Sequence, residues 1–165
     1  MAAATTNISE TNGATVVHDS VTNLNYGTVD EYDTDYANHP ITIPGNSMRK
    51  ENRLSVTSMG TSTKIDNIRI WQTGTVDTGV TFQTNLETSG YASEAYVTPS
   101  TSTYTHNSMP TSEPGTANLG IAGSLSNGLT ATGYSDYWHH QLQAAMVAGP
   151  GNINQKTYSL KYDEQ

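Results

Sequence analysis

His139 and His140 stand side by side in the segment YSDYWHHQLQAAM, residues 134–146, next to Trp138 and close to Asp136. Adjacent imidazoles near a carboxylate are the raw material of a metal site or an acid–base pair. Spacing decides whether they can act together. In a strand over Tyr137–Met146, successive side chains point to opposite faces. Trp138, His140, Leu142, Ala144 and Met146 then share one face, with Tyr137, His139, Gln141 and Gln143 on the other. The two imidazoles diverge and do not readily share one ion. The expectation is scaffold: His140 at the edge of the core, His139 toward solvent.

The acidic run VDEYDTDYAN, with carboxylates from Asp30 to Asp35, has the best composition for a metal loop. Calcium takes six to eight oxygens, and closely spaced carboxylates can supply several. The match to a helix–loop–helix calcium loop fails, because Ala37 stands at a ligand position, no glycine follows it and no glutamate closes the loop. A solvated acidic surface loop is the expected outcome. No H-E-x-x-H, G-x-S-x-G or phosphate-loop pattern occurs, and the glycines of Gly120–Ser124 lack the spacing of a nucleophile elbow. These residues assign no catalytic, cofactor-binding or metal-ligating position, and the chain is not expected to be an enzyme. Tyr32, Tyr36, Tyr91, Tyr96 and Tyr104 fall in polar, loop-like contexts and are candidates for protein interfaces or sugar stacking.

The elements that must position these residues follow from composition. The 165 residues are 34% hydrophobic and 13% charged, with ten Tyr and two Trp, and Thr plus Ser make up about a quarter. Thr and Tyr favour pleated surfaces, so the composition predicts an all-β protein with a thin core. The net charge of −8 argues against nucleic acid as a partner. The absence of cysteine removes disulfides and thiolate chemistry. The N-terminal residues have neither a basic region nor a long apolar run, and no stretch has the length of a membrane span. The expectation is a soluble protein made without an export signal.

Residues 1–13 read as a flexible N-terminal arm, and 14–165 as one β-sandwich domain. Candidate strands are Thr15–Val21, Leu24–Val29, Pro40–Ile43, Arg53–Met59, Lys64–Thr73, Val80–Leu86, Ser102–Ser108, Tyr137–Met146 and Thr157–Tyr162. In Lys64–Thr73 the apolar residues Ile65, Ile68 and Ile70 change face, which a bulge near Asp66–Asn67 would reconcile. Trp71, in the middle of that apolar strand, reads as core. Residues 110–135 read as a long ordered loop with at most one short strand. Eight or nine short strands with such punctuation predict a single-domain antiparallel β-sandwich, jelly-roll or Ig-like.

The stretches PITIPGNSMRKENRLSV, MGTSTKIDNIRIW, SEPGTANLGIAGSLS, GYSDYWHHQLQ and NQKTYSLKYDEQ carry a resemblance. Over roughly residues 22–165 the chain resembles virion structural proteins of tailed bacteriophages. That resemblance implies a capsid decoration (cement) protein on the outer surface of the head, made in the host cytoplasm. Its expected partners are the major capsid protein and symmetry-related copies of itself, with no nucleic acid, membrane or cofactor. A head-fibre, neck or tail-associated role belongs to the same class. Residues 1–13 and 110–135 are the expected contacts. The reading from a different class is a carbohydrate-binding module; aromatics gathered on one concave face would favour it, and aromatics dispersed at edges would favour assembly.

Overall fold

Runs of β-branched and aromatic residues, broken by glycine and proline turns, form ten strands and no helix among the described residues. The computed structural model describes residues 2–13, 16–75, 77–86, 99, 107–149, 151 and 153–165. The strands are β1 (Thr5–Asn12), β2 (Val16–His18), β3 (Gly45–Asn46), β4 (Lys50–Ser58), β5 (Ile65–Thr73), β6 (Val80–Asn85), β7 (Asn107–Ser108), β8 (Gly133–Tyr134), β9 (Trp138–Ala144) and β10 (Thr157–Glu164). All pairings are antiparallel. The larger sheet runs β2-β1-β4-β9-β6-β7, with β3 also on β9 and β8 also on β4. Among the described residues a second sheet consists of β10 and β5. Apolar side chains of both sheets meet in one core, so the architecture is all-β and sandwich-like.

Pairing register fixes which side chains share the inner face of the large sheet. Glu10 lies opposite Asn52, and Ile8 opposite Leu54. Asn52 lies opposite Trp138, and Lys50 opposite His140. His140, Leu142 and Ala144 lie opposite Thr84, Phe82 and Val80. Directly opposed residues point to the same side of a sheet. The inner face therefore reads apolar, polar, apolar. Leu54, Val56 and Trp138 pack with Ile65, Ile68 and Ile70 of β5. Val80, Phe82, Leu142 and Ala144 form a separate apolar cluster. Between them runs a belt of Glu10, Lys50, Asn52 and His140, each at most 1% exposed.

Several expectations change here. Residues 1–13 are not a flexible arm over most of their length: Thr5–Asn12 is a strand between β2 and β4. Its final residues, Ser9, Glu10, Thr11 and Asn12, are buried although all are polar. Hydrogen-bonding groups on β4 and in the acidic loop make that burial tolerable, and they lie more than fifteen residues away in sequence. The segment before it is also tied down. Thr61 donates its N–H to the Ala2 carbonyl, and Ala4 donates its N–H to Glu164. Gly60, at φ +57°, leaves room for this crossing, since a Cβ there would strike the Ala2 and Ala3 carbonyls.

Leu24–Val29 and Pro40–Ile43 are not strands, and Thr15 and most of Ser102–Ser108 lie outside the described residues. The bulge expected near Asp66–Asn67 is present. Lys161 pairs with Arg69 and Asp163 with Asp66, so β5 carries one extra residue, and Asn67 takes φ +51°. Ile65, Ile68 and Ile70 are thereby all buried. Trp71 corrects its expectation: it is half-buried and alternates outward with Arg69, while Ile70 and Gln72 turn inward. Residues 110–135 are ordered, with β8 as the short strand and Leu119 and Ile121 in the core.

Candidate functional site

The polar belt holds His140, one of the two adjacent histidines of β9. His140, on β9, places Nε2 2.5 Å from Asn52 Oδ1 and Nδ1 2.5 Å from Tyr26 Oη. Tyr26 Oη lies 2.5 Å from Tyr158 Oη, on the other sheet. The proton order follows from one anchor. Asn52 Nδ2 donates to the Ser9 carbonyl at 3.2 Å, which leaves its Oδ1 as acceptor toward His140. Nε2 of a neutral imidazole therefore carries the hydrogen, and Nδ1 accepts from Tyr26. Tyr26 in turn accepts from Tyr158. Hydrogen bonds run in one direction from β10 through the loop at Tyr26 to β9, β4 and β1.

Burial sets the charge states along this chain. Desolvation, then the charges of Lys50 and His139, holds His140 well below the ordinary imidazole value. Desolvation pushes Tyr26 well above the ordinary phenol value, reinforced by Tyr158 and Glu10, and desolvation likewise raises Tyr158. All three groups are neutral near pH 7. A neutral, fully paired chain can lock two sheets in register, but it offers no proton held at a catalytic poise.

Lys50 carries the charged part of the belt. Its Nζ donates to Glu10 Oε1 at 2.8 Å, to the Glu31 carbonyl at 2.6 Å and to Thr34 Oγ1 at 3.2 Å. The acidic loop is thus pinned from inside by an ammonium group. Its carboxylates are spent separately. Asp30 accepts from Asn12 Nδ2 and the Gly13 N–H, at 2.9 and 2.8 Å, and Asp33 accepts from Asn25 Nδ2 at 2.8 Å. Asp35 accepts from Asn38 Nδ2 and from the Ala37 N–H, and the Asn38 side chain leads in holding its carboxyl below the usual range. No group of three or more His, Asp and Glu side chains able to hold a metal ion occurs among the described residues.

The two histidines do occupy opposite faces, but the solvent-facing expectation for His139 is wrong. His139 is fully buried, with Nδ1 3.9 Å from Glu51 Oε1 and its ring edge-on to Tyr137. Glu51 and Arg49 are equally buried and 3.4 Å apart, and Arg53 stacks on the rings of Tyr134 and Tyr137, at 3.6 and 4.8 Å. Strand alternation names a face; it does not say whether that face is covered. Tyr32 stacks on His18 with centroids 4.7 Å apart, whereas Tyr36 borders the cleft described next. Tyr91, Tyr96 and Tyr104 lie outside the described residues.

Beside the belt opens a cleft of about 980 Å³. Its floor is the second apolar cluster of the large sheet, with Phe82 and Leu142 at the centre. One wall is the segment 21–26 with Ile41 and Ile43; the other is 153–160, including the first part of β10. Tyr26 stands edge-on to Phe82 at 5.6 Å. Among the described residues of the lining Lys156 is the one that is charged, and its Nζ lies 3.1 Å from Asp77 Oδ2. Desolvation acts to raise the Asp77 carboxyl, but its bonds and attraction to Lys156, with those from Asn154, leave it lowered. Ile43 and Ile153 line the cleft and are exposed, and Met146 and Val147, which lead into the lining residue Ala148, are exposed at 80% and 72%. Sequence reasoning missed this cleft, because much of its wall comes from loops whose apolar residues show no periodicity.

Compared with protein-family models, curated proteins and solved structures, the chain matches none of them.

Proposed function

We propose that this chain is a non-catalytic assembly protein of a bacteriophage virion, a decoration protein that binds the outer surface of the head and stabilises capsomer contacts. The observation that carries the docking part is the apolar rim. Ile43 and Ile153 line the cleft and are exposed, and the exposed Met146 and Val147 immediately precede the lining residue Ala148; grouped exposure of this kind marks protein contact surfaces. The titratable groups of the belt support the non-catalytic part, since Tyr26, His140, Tyr158, Lys50 and Glu10 bond to one another or to the scaffold. The virion itself rests on the sequence resemblance, and the partner it implies is the major capsid protein. Residues 5–12 are committed to β1, so docking in this reading falls to the cleft face. Mass spectrometry and electron microscopy of particles from the chain's source provide the test. Many copies on the outer shell are expected, and absence from purified particles refutes the assignment.

A second reading draws on the cleft's aromatics. Tyr26, Tyr36, Phe82, Trp138 and Tyr158 all line it, as a carbohydrate-binding module would require. Tyr36 is exposed, but Trp138 is in the core and both other tyrosine hydroxyls are bonded within the protein. Titration with a soluble glycan panel checks this reading; saturable quenching of tyrosine fluorescence would favour it over assembly.

A further inference from the structure

Among the described residues the small sheet has one closed edge and one open edge. On the closed side, Ile70 donates its N–H to Asn118 Oδ1 and accepts from Asn118 Nδ2, both at 2.8 Å, and Gln72 donates to the Pro110 carbonyl. Ile70 and Gln72 thus turn their main-chain groups away from β10. Their partners across the pair are Leu160 and Tyr158. In an antiparallel ladder, residues of such non-bonded pairs direct N–H and C=O to the outer side of each strand. Tyr158 and Leu160 therefore aim their main-chain donors and acceptors outward from β10. Among the described residues, no backbone group pairs with them.

That open edge borders the cleft. Thr157–Leu160 form part of its wall, and among the described residues the floor at Phe82 and Leu142 has no strand of the small sheet opposite it. We propose that the cleft is a strand acceptor: an extended segment of another protein pairs with Tyr158 and Leu160 and seats alternate apolar side chains on Phe82 and Leu142. Addition of a strand to a sheet edge uses main-chain bonds for affinity and alternate pockets for selectivity. The segment is uncharged where it is held, because Lys156 is already matched by Asp77. The partner is a protein with an uncharged extended segment, and the first and last strands of the described residues do not supply that segment. Residues 5–12 pair with β4, and 157–164 pair with β5. The inference deepens the docking reading and rests on it for the donor's source, a shell protein.

The test is amide hydrogen exchange on the full chain, with a panel of synthetic peptides about six residues long. The peptides alternate Thr with Val, Ile, Leu, Phe or Tyr. Binding should slow exchange at Tyr158 and Leu160 at least about tenfold, while Ser159 and Lys161, already bonded to β5, change little. Methylating the peptide nitrogens that face β10 should weaken binding by about tenfold or more. A144W, which fills the floor, should abolish it; should that variant fail to fold, the methylated peptides on the unaltered protein make the same test. If no peptide slows those two amides, or methylated peptides bind equally well, the strand acceptor is overturned. A concentration-dependent dimer that protects the two amides without peptide overturns the assignment to another protein. Peptide binding by a chain absent from particles would refute only the virion reading.

Discussion

The two apolar halves of the large sheet's inner face are built from the same kinds of residue and meet different surroundings. At one end Leu54, Val56 and Trp138 are roofed by the isoleucines of β5, with Leu160 and Tyr162 of β10 packed against them. At the other, Val80, Phe82, Leu142 and Ala144 face the cleft, with Tyr26 and Ile41 packed against their edge. The roof has two strands, whereas the path across the large sheet has six. The belt at His140 and Lys50 stands where the roof ends. Alternation along a strand thus selects an apolar face without specifying what covers it.

Removing residues 2–12 should have the largest effect. The deletion strips β1 from β4 and leaves the Lys50 ammonium buried without Glu10. The expected outcome is loss of cooperative unfolding by circular dichroism; a chain that still folds with near-normal stability would break the assignment of β1 to the closed half. Next, matched truncations compare the halves directly. L54A should cost about 4 kcal/mol and L142A nearer 2, because the cleft side can relax or admit water. Denaturant titrations giving equal losses would remove the distinction between roofed and open floor.

The belt gives smaller effects. Y26F leaves both the His140 acceptor and the Tyr158 donor unmatched and should cost about 1–3 kcal/mol, whereas Y158F removes only the outermost donor and should cost about 1. Reversal of that order in thermal melts would overturn the proton sequence derived for the chain. The least effect comes from pH. With its folded value depressed, His140 binds fewer protons in the native state than in the unfolded one. Its contribution is complete above about pH 6.5 and declines as pH falls below it, by at most about 1.4 kcal/mol per unit. Asp35 and Asp77, also depressed, contribute above their ordinary value of 3.8 and lose that contribution only at lower pH. H140Q should flatten the slope just below pH 6.5, as read from melting temperature, and leave the acid limb unchanged.

Much of the fold is legible in local pattern. GVTFQTNL and KTYSLKYD alternate cleanly and are strands, and the irregular spacing of Ile65, Ile68 and Ile70 announces the bulge that Asn67 supplies. Thr5–Asn12 is illegible for a definite reason. Its buried residues are polar, and their burial depends on Lys50, Asn52 and Asp30, which only the fold brings near. The same holds for His139, whose face alternation fixes and whose burial it does not. The site was less legible than the fold, since much of the cleft's wall is aperiodic loop and the open edge of β10 among the described residues is a property of pairing parity.

By itself, then, the sequence determined the β class, the divergence of His139 and His140, and the apolar stripe through Trp138 and Leu142, because side-chain alternation is a local property of an extended backbone. Tertiary contacts make residues 5–12 a strand, join Tyr158, Tyr26, His140 and Asn52 into one directed chain and, among the described residues, leave β10 with an open edge beside a cleft. Those outcomes depend on contacts between segments far apart in the chain, and no local pattern encodes which distant groups will satisfy a buried polar atom or leave a strand edge free.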